Sequence, residues 1–414
     1  MTDRLWKPPP RSDTAQLVYA QAEASRKQNP DQFRLTFEGL KDMACAMTGL
    51  SDFGDHALAS NFQRLLDAMN HEARLNAAGV MFAQSLLMIP LGNRLKMVHL
   101  LKENPEFSRH QINRPIFIVG GSRTGTTLLQ RLLYVDPGNR ALLAWEMTTP
   151  FALGSHDAEV RRNAVEVAQQ GHDALHHLNP TMRAVHFSGA TLPEECVLMM
   201  GTDGLNWGIL SNAYLPSYAN WLAEQDFRGA YERHRQLLSI IEGSEPPHRW
   251  VLKAPYHLPE LNALLQVYPD ACIVHTHRDI VDTVSSTASL FAVFRSTLSD
   301  HVDPLVVGAE QATLLYEWFH RAMAVRDALP AQSSAQLIDV HFQQLVADPI
   351  AIVKQIYNAF DIELSKEALR RMQDYLAQKD TYAYGRHLYS AEQFGLDPQE
   401  IREKFSAYVE RYGG

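Results

Sequence analysis

Between residues 120 and 127 the chain reads Gly120-Gly121-Ser122-Arg123-Thr124-Gly125-Thr126-Thr127. Glycines let a chain turn tightly, so that successive backbone N–H groups point into one cavity, and the helix start that follows adds a field favouring an anion. The hydroxyls of Thr126 and Thr127 supply further donors. A phosphate or sulfonate site is expected here on physical grounds; the plainer reading is an ordinary strand-to-helix turn. The spacing approaches the nucleotide-triphosphate loop G-x-x-x-x-G-K-S/T, but Thr126 stands where that loop needs lysine. The cation has moved inside the loop, to Arg123. A loop serving ATP or GTP sets its lysine on the terminal phosphates and a hydroxyl on magnesium. An arginine without that lysine suits a terminal group of lower charge and no divalent ion, such as a phosphosulfate.

A second anion clamp lies further on. Arg278 closes the run IVHTHR, and Ser286 follows eight residues later, inside the next helix. A guanidinium gives two parallel charged hydrogen bonds to a phosphate and a helical hydroxyl adds a third. Ser285 and Ser289 are equivalent candidates, because helix register is not readable from sequence, and the structural alternative for Arg278 is an ion pair with Asp279 or Asp282. Lys253 ends the strand-like run in WVLKAPYHL, with His257 behind it, and the plainer reading of the lysine is a solvated strand end. For the proton, Glu146 in LLAWEMTTP is the first choice of base, unless it partners a structural arginine. His186, Glu194 and Glu195 in VHFSGATLPEECVLMM are its rivals. Pro193 suits the first position of a helix and the two glutamates its first turn, so capping explains at least one of them.

The stretch IFIVGGSRTGTTLLQRLL resembles the 5′-phosphosulfate loop of sulfotransferases that use 3′-phosphoadenosine 5′-phosphosulfate, in particular the bacterial branch and, distantly, the protein-tyrosine sulfotransferases. Lys253 lies in a segment similar to that family's LKxPxHL stretch, which implies that it stabilises the leaving group. Arg278 and Ser286 resemble the family's 3′-phosphate site, and LPEEC looks like a segment of the bacterial enzymes. The resemblance covers roughly residues 114 to 405 and implies a P-loop-type parallel sheet flanked by helices, with transfer of a sulfuryl group to a hydroxyl or, less favourably, an amine. Gly121, Ser122, Arg123, Thr124, Gly125, Thr126 and Thr127 would hold the 5′ end of the donor. Arg278, Ser286 and, in the late segment Tyr384-Gly385-Arg386-His387, Arg386 would hold the 3′-phosphate of donor and of product, 3′,5′-adenosine bisphosphate. No metal is implied. Glu146 falls about two residues from the place where the tyrosine sulfotransferases carry their base, and Thr148 or Thr149 replaces the arginine ending that motif. The competing functions are an atypical P-loop small-molecule kinase, disfavoured by the missing lysine, and a nucleotide-binding protein without chemistry.

The elements that must position these groups are legible in outline. RPIFIVGG, RWVLK, ACIVHTHRD and AQLIDV are short apolar runs that read as strands, and helical patterns separate them, which indicates a parallel sheet covered on both faces. Residues 1–112 read as an all-helical N-terminal extension after a proline-rich arm, WKPPPRSD. Residues 113–414 form the catalytic domain, with a helical acceptor-binding insert at about 140–248 and a donor-covering tail at about 380–414.

The chain has 414 residues and a formal net charge of -9, which argues against nucleic acid as partner and requires any anionic ligand to be caught by a local basic cluster. Three distant cysteines offer neither a disulfide framework nor a CxxC metal site and fit a reducing compartment. Two long uncharged stretches, Leu75 to Asn93 and Gly204 to Ala223, carry too many polar residues to span a bilayer and read as buried core. The expectation is a cytoplasmic enzyme without a transmembrane segment, acting on a small-molecule acceptor, with the helical extension as a surface for a homodimer. Leu192, Met199, Met200, Trp207, Tyr214 and Trp221 point to an aromatic or lipid-like acceptor, or to core.

Overall fold

In the computed structural model the described residues are 5–54, 57–243, 248–330, 336–378 and 387–413. Five parallel strands, β1 (Ile116–Gly120), β2 (Asn139–Arg140), β3 (Arg249–Lys253), β4 (Cys272–His277) and β5 (Leu337–His341), lie in the order β2-β3-β1-β4-β5. All four expected strands are present. The two-residue edge strand β2 was not anticipated, since so short a pairing leaves no apolar run to read.

Alternation along the strands divides the core. Phe117, Val119, Trp250, Leu252 and Ile273 face one side, in one apolar cluster with Leu40, Leu66, Leu91, Leu238 and Phe291 from surrounding helices. Ile116, Ile118, Val251, Val274 and Val340 face the other, with Leu129, Leu132 and Leu133 of the helix after β1. Burial on both faces is why β1, β3 and β4 read as largely hydrophobic runs.

The N-terminal third is helical as expected: α1 (Asp13–Gln28), α2 (Phe37–Thr48), α3 (Ala57–His71) and the long α4 (Ala77–Glu103). The apolar sides of α2, α3 and α4 join the cluster that contains Phe117 and Val119, so the core runs without interruption from the extension into the sheet, while α1 packs on the start of α4 in a small cluster of its own. No helix among the described residues is long and apolar enough to cross a membrane. After β1 comes α5 (Thr126–Tyr134). The insert supplies α6 (Ala144–Thr148), α7 (Ala158–Leu178), α8 (Thr181–Val185), α9 (Pro216–Leu222) and α10 (Arg228–Glu242). Beyond β3 lie α11 (Leu261–Val267), α12 (Ile280–Leu298) and α13 (Pro304–Ala328).

In parallel strands every C-terminal end points the same way, and ligands bind at that edge. Here β1 is central, with Ile118 abreast of Lys253 on β3 and Gly120 abreast of Thr276 on β4. The loop leaving β1 is thereby flanked by Lys253 on one side and by Arg278 on the other.

Candidate active site

The turn from β1 into α5 has the shape a close anion requires. Gly125 is the N-cap of α5 at φ 92, and a Cβ there would also come within 2.8 Å of Leu345. At Gly121 a Cβ would meet Thr283 at 2.8 Å, so side chains are excluded on the packed side of the loop. The N-cap offers no side-chain acceptor, which leaves the first N–H groups of α5 for another partner. Thr124 is locked inward, its hydroxyl 2.6 Å from that of Thr276. Arg123 itself is left-handed, at φ 69. A non-glycine residue held there carries strain of about 1–3 kcal/mol, which the loop sustains in order to present this side chain.

Arg123 Nη1 donates to the carbonyl of Val185 at 2.7 Å, tying the loop to the residue before His186. His186 Nε2 lies 2.9 Å from Glu194. Glu194 in turn accepts the backbone N–H of Glu195 at 3.0 Å, and Glu195 Oε1 lies 2.7 Å from Lys253 Nζ. Lys253, fully buried, closes the ring by reaching Thr127 Oγ1 at 3.4 Å. Five charged or titratable side chains from three stretches of sequence thus form one circuit that starts and ends on the glycine loop. Burial pushes the Glu194 carboxyl up, but the facing His186, with Lys253 and Arg131, more than reverses this and holds it well below the usual carboxylate range.

The capping explanation for the two glutamates does not hold. Pro193 begins no helix but bridges to Leu143, and only a three-residue turn, Cys196–Leu198, follows, with no side-chain cap. Glu195 precedes that turn in extended conformation, and its carboxylate meets Lys253.

Glu146 is engaged elsewhere. One carboxylate oxygen pairs with Arg140 at 2.9 Å and the other accepts the Leu143 N–H at 2.9 Å at the start of α6. The Arg140 guanidinium lies over the Trp250 ring, 4.9 Å from its centre. Trp250 precedes Lys253 by three residues, about 10 Å along a strand, and alternation turns it to the opposite face of the sheet. Together with Trp145 and His156, Glu146 borders a small recess to which the glycine loop contributes nothing. Its contacts are those of a carboxylate partnering a structural arginine.

On the other flank Arg278 donates to the Arg123 carbonyl at 3.2 Å, to Asp282 at 3.1 Å and to the Tyr389 hydroxyl at 3.0 Å, and lies over the Phe342 ring. The ion pair with Asp282 that sequence offered as the alternative is therefore present. Asp282 is 55% exposed, and such pairs contribute about 0–1 kcal/mol, too little to compete with a bound phosphate. Asp282, Ser286 and Ser289 recur at i, i+4 and i+7 along α12, on one stripe. Ser289 bonds His387 at 2.7 Å, whereas the hydroxyls of Ser285 and Ser286 are buried without a hydrogen-bond partner. Buried donors are almost always satisfied, so two orphans on the helix whose Asp282 pairs with Arg278 mark a place for an acceptor. Burial, with the neighbouring charge of Arg278 in support, holds the Arg123 guanidinium below its ordinary value; an anion between the two arginines would relieve that.

Other expectations fall differently. His257 is fully buried, its Nδ1 2.8 Å from the Tyr231 hydroxyl. Met199, Met200 and Trp207 belong to the core, while Tyr214 is 36% exposed. Arg386 lies outside the described residues. Sequence reasoning missed Glu194 as the partner of His186 and Phe342 beneath Arg278. The sequence marks Glu194, in LPEEC, as a candidate base and not as the partner of His186; Phe342 sits in no recognisable motif. Among the described residues one group, His275, His277 and Asp339, has metal-ligand types in proximity, but Arg326 grips Asp339 at 2.6 Å and also reaches His275, so a cation already fills it.

Comparison with known proteins bears on this arrangement. The sulfotransferase family model matches residues 115–366. The chain is 25% identical over 317 residues to the omega-hydroxy-beta-dihydromenaquinone-9 sulfotransferase Stf3 of Mycobacterium bovis, covering 72% of this chain and 75% of that protein. Among solved structures it is similar to sulfotransferase STF1 of Mycobacterium tuberculosis H37Rv, with 32% identity, a TM-score of 0.79, and 90% of this chain and 99% of that one covered. Sulfotransferase STF9 of Mycobacterium avium shares the fold at a TM-score of 0.79 and 24% identity, over 91% of this chain and 96% of that one.

Proposed function

The chain belongs to the sulfotransferase family, and from that premise we propose that it moves the sulfuryl group of 3′-phosphoadenosine 5′-phosphosulfate to the hydroxyl of an apolar, lipid-like or aromatic alcohol. The observation that supports the reading is a pair of hydrogen-bond donor groups suited to anions, the Gly121–Thr127 turn with Arg123 and Arg278 with the unpartnered hydroxyls of Ser285 and Ser286, linked where Arg278 donates to the Arg123 carbonyl. An ATP-dependent enzyme has no use for the second. The residues fit the donor: side-chain-free turns for the 5′ end, and orphan buried hydroxyls beside a guanidinium for the 3′-phosphate. The lipid-like acceptor draws support from Stf3, whose name specifies a menaquinone derivative.

When bound, the donor supplies an electrophilic sulfur and a phosphate leaving group. The loop amides, Thr126 and Thr127 hold the 5′ end, and Arg123 faces the sulfuryl oxygens. Lys253, beside Thr127, stabilises charge on the departing oxygen. Glu195 takes the proton of the acceptor hydroxyl, because it is the carboxylate held against Lys253 at the mouth of the loop, which replaces Glu146 in that role. His186 is the second candidate, favoured by its bond to Glu194, which fixes the ring as a carboxylate does in a proton-relay pair.

Thermal shift tests the donor assignment. Stabilisation by 3′,5′-adenosine bisphosphate without magnesium, well above that from ADP, is expected. A larger shift from ATP with magnesium would return the protein to the kinases.

A further inference from the structure

The proline-rich arm ahead of α1 is anchored at both ends. At its C-terminal end Arg11 stacks 3.6 Å above the Tyr19 ring and pairs with Asp300 at 2.5 Å, just past the end of α12. Tyr19 itself donates to the Thr297 carbonyl at 2.7 Å, and Gln16 holds the Arg11 carbonyl. At its N-terminal end the Trp6 N–H donates to the Gln393 carbonyl at 3.0 Å, and the indole packs 6.3 Å from the Phe394 ring. The same indole rests on an apolar cluster of Met182, Val185, Leu290 and Val293.

Pro8, Pro9 and Pro10 bridge the two anchors over a cavity of about 590 Å³. Prolines fix φ and offer no N–H, so the bridge is a stiff extended rod. From Trp6 to Arg11 such a rod reaches about 16 Å. From Leu290 to Asp300 a helical rise covers about 15 Å. The arm therefore runs alongside α12, from its C-terminal end back toward the serines that face Arg278.

What Trp6 holds is the turn that reaches Arg278 and Ser289. His387 bonds Ser289, and the Tyr389 hydroxyl accepts from Arg278. Ser390 and Gln393 then close a capping turn, with the Ser390 N–H donating to Gln393 Oε1 at 3.0 Å. Phe394 is pressed on α13 so closely that a Cβ on Gly308 would come within 2.1 Å of the Phe394 carbonyl oxygen. The turn is thus gripped by α13 on one side and by the arm on the other. Burial and the charge of Arg123 hold His387 down at about 4, which keeps it neutral beside the loop.

We infer that Trp6 is a positioning residue for the donor: the N-terminal arm, braced at Arg11, holds the His387–Phe394 turn against Arg278 and Ser289. The inference rests on the proposed donor site. A stiff arm that touches the turn and not the reacting atoms acts on donor affinity alone. It adds to that affinity by pre-ordering contacts that would otherwise be ordered on binding.

Isothermal titration with 3′,5′-adenosine bisphosphate on the full chain, together with steady-state kinetics, tests this. Trp6→Ala is expected to weaken nucleotide binding about three- to tenfold and to raise the donor KM alike, with kcat at saturating donor and the acceptor KM unchanged. Trp6→Phe, which restores an aromatic ring beside Phe394, should recover most of the loss, and Arg11→Ala should show a smaller loss in the same direction. Arg278→Ala is the control. If it weakens binding while Trp6→Ala does not, the arm has no such role. If Trp6→Ala lowers kcat and raises both KM values together, the arm is only structural and the inference is overturned. If neither variant alters nucleotide binding, the donor-site reading itself falls.

Discussion

Lys253 and Glu195 form an unequal pair, and the inequality is measurable. Lys253 is 0% exposed at its side chain, whereas Glu195 is 17% exposed. In Glu195→Gln the buried ammonium loses its counter-charge and cannot reach water; one-sided loss of a buried pair costs about 3–5 kcal/mol. The partial exposure of Glu195 places this case near the lower end, about 3 kcal/mol. In Lys253→Met the buried charge is replaced by an apolar chain of similar length. Only a partly hydrated carboxylate is left, so the cost is about 1 kcal/mol or less. The double variant should be more stable than Glu195→Gln alone, with a coupling of about 2 kcal/mol. Urea unfolding of the four proteins gives these numbers. Activity follows another order: Lys253→Met should lower kcat about 10²- to 10³-fold, the scale for one charge stabiliser. Glu195→Gln should lower it about 10²- to 10⁴-fold, the scale for a general base. A stable Lys253→Met with undiminished kcat would remove the lysine from catalysis. Equal destabilisation by the two single variants would refute the claim that burial sets the asymmetry.

Arg278→Ala should raise the donor KM far more than the acceptor KM, and Ser286→Ala should do the same more weakly; equal effects on both substrates in either variant would contradict a donor clamp. Glu260, buried against the Trp207 indole, is pushed up to about 7, mainly by burial. The folded state then holds a proton that the unfolded chain releases near pH 4.5, so stability is lost as pH rises from 4.5 through 7. Glu260→Gln keeps an acceptor for Trp207 and removes that penalty. It should be more stable than the parent by about 3 kcal/mol at pH 8 and no more stable at pH 4, in paired thermal melts. A gain that does not change with pH would refute an ionisable Glu260.

Local order was legible in the residues. Four strands announced themselves because strands in a sheet covered on both faces are rich in apolar, β-branched residues, and the loop at Gly120–Thr127 announced an anion because its glycines, hydroxyls and helix start act within eight consecutive positions. The continuous core was not legible: helical spacing shows that α2 to α4 each have an apolar side, but not that this side meets Phe117 and Val119.

The candidate site divides along the same line. Sequence named Arg123, Lys253, Arg278, His186 and Glu195 by residue type, neighbours and resemblance, and it ranked Glu146 first because that residue lies near the place where the tyrosine sulfotransferases carry their base. Tertiary structure sets Lys253 and Glu195 together beside the loop through the parallel register, while Glu146 pairs with Arg140 over Trp250, which alternation turns to the opposite face. It also brought Trp6 to Gln393, a contact across nearly the whole chain. Chemistry that acts over a few consecutive residues is written in their order; chemistry that needs two charges within 3 Å depends on which strand lies beside which, and only the folded sheet decides that.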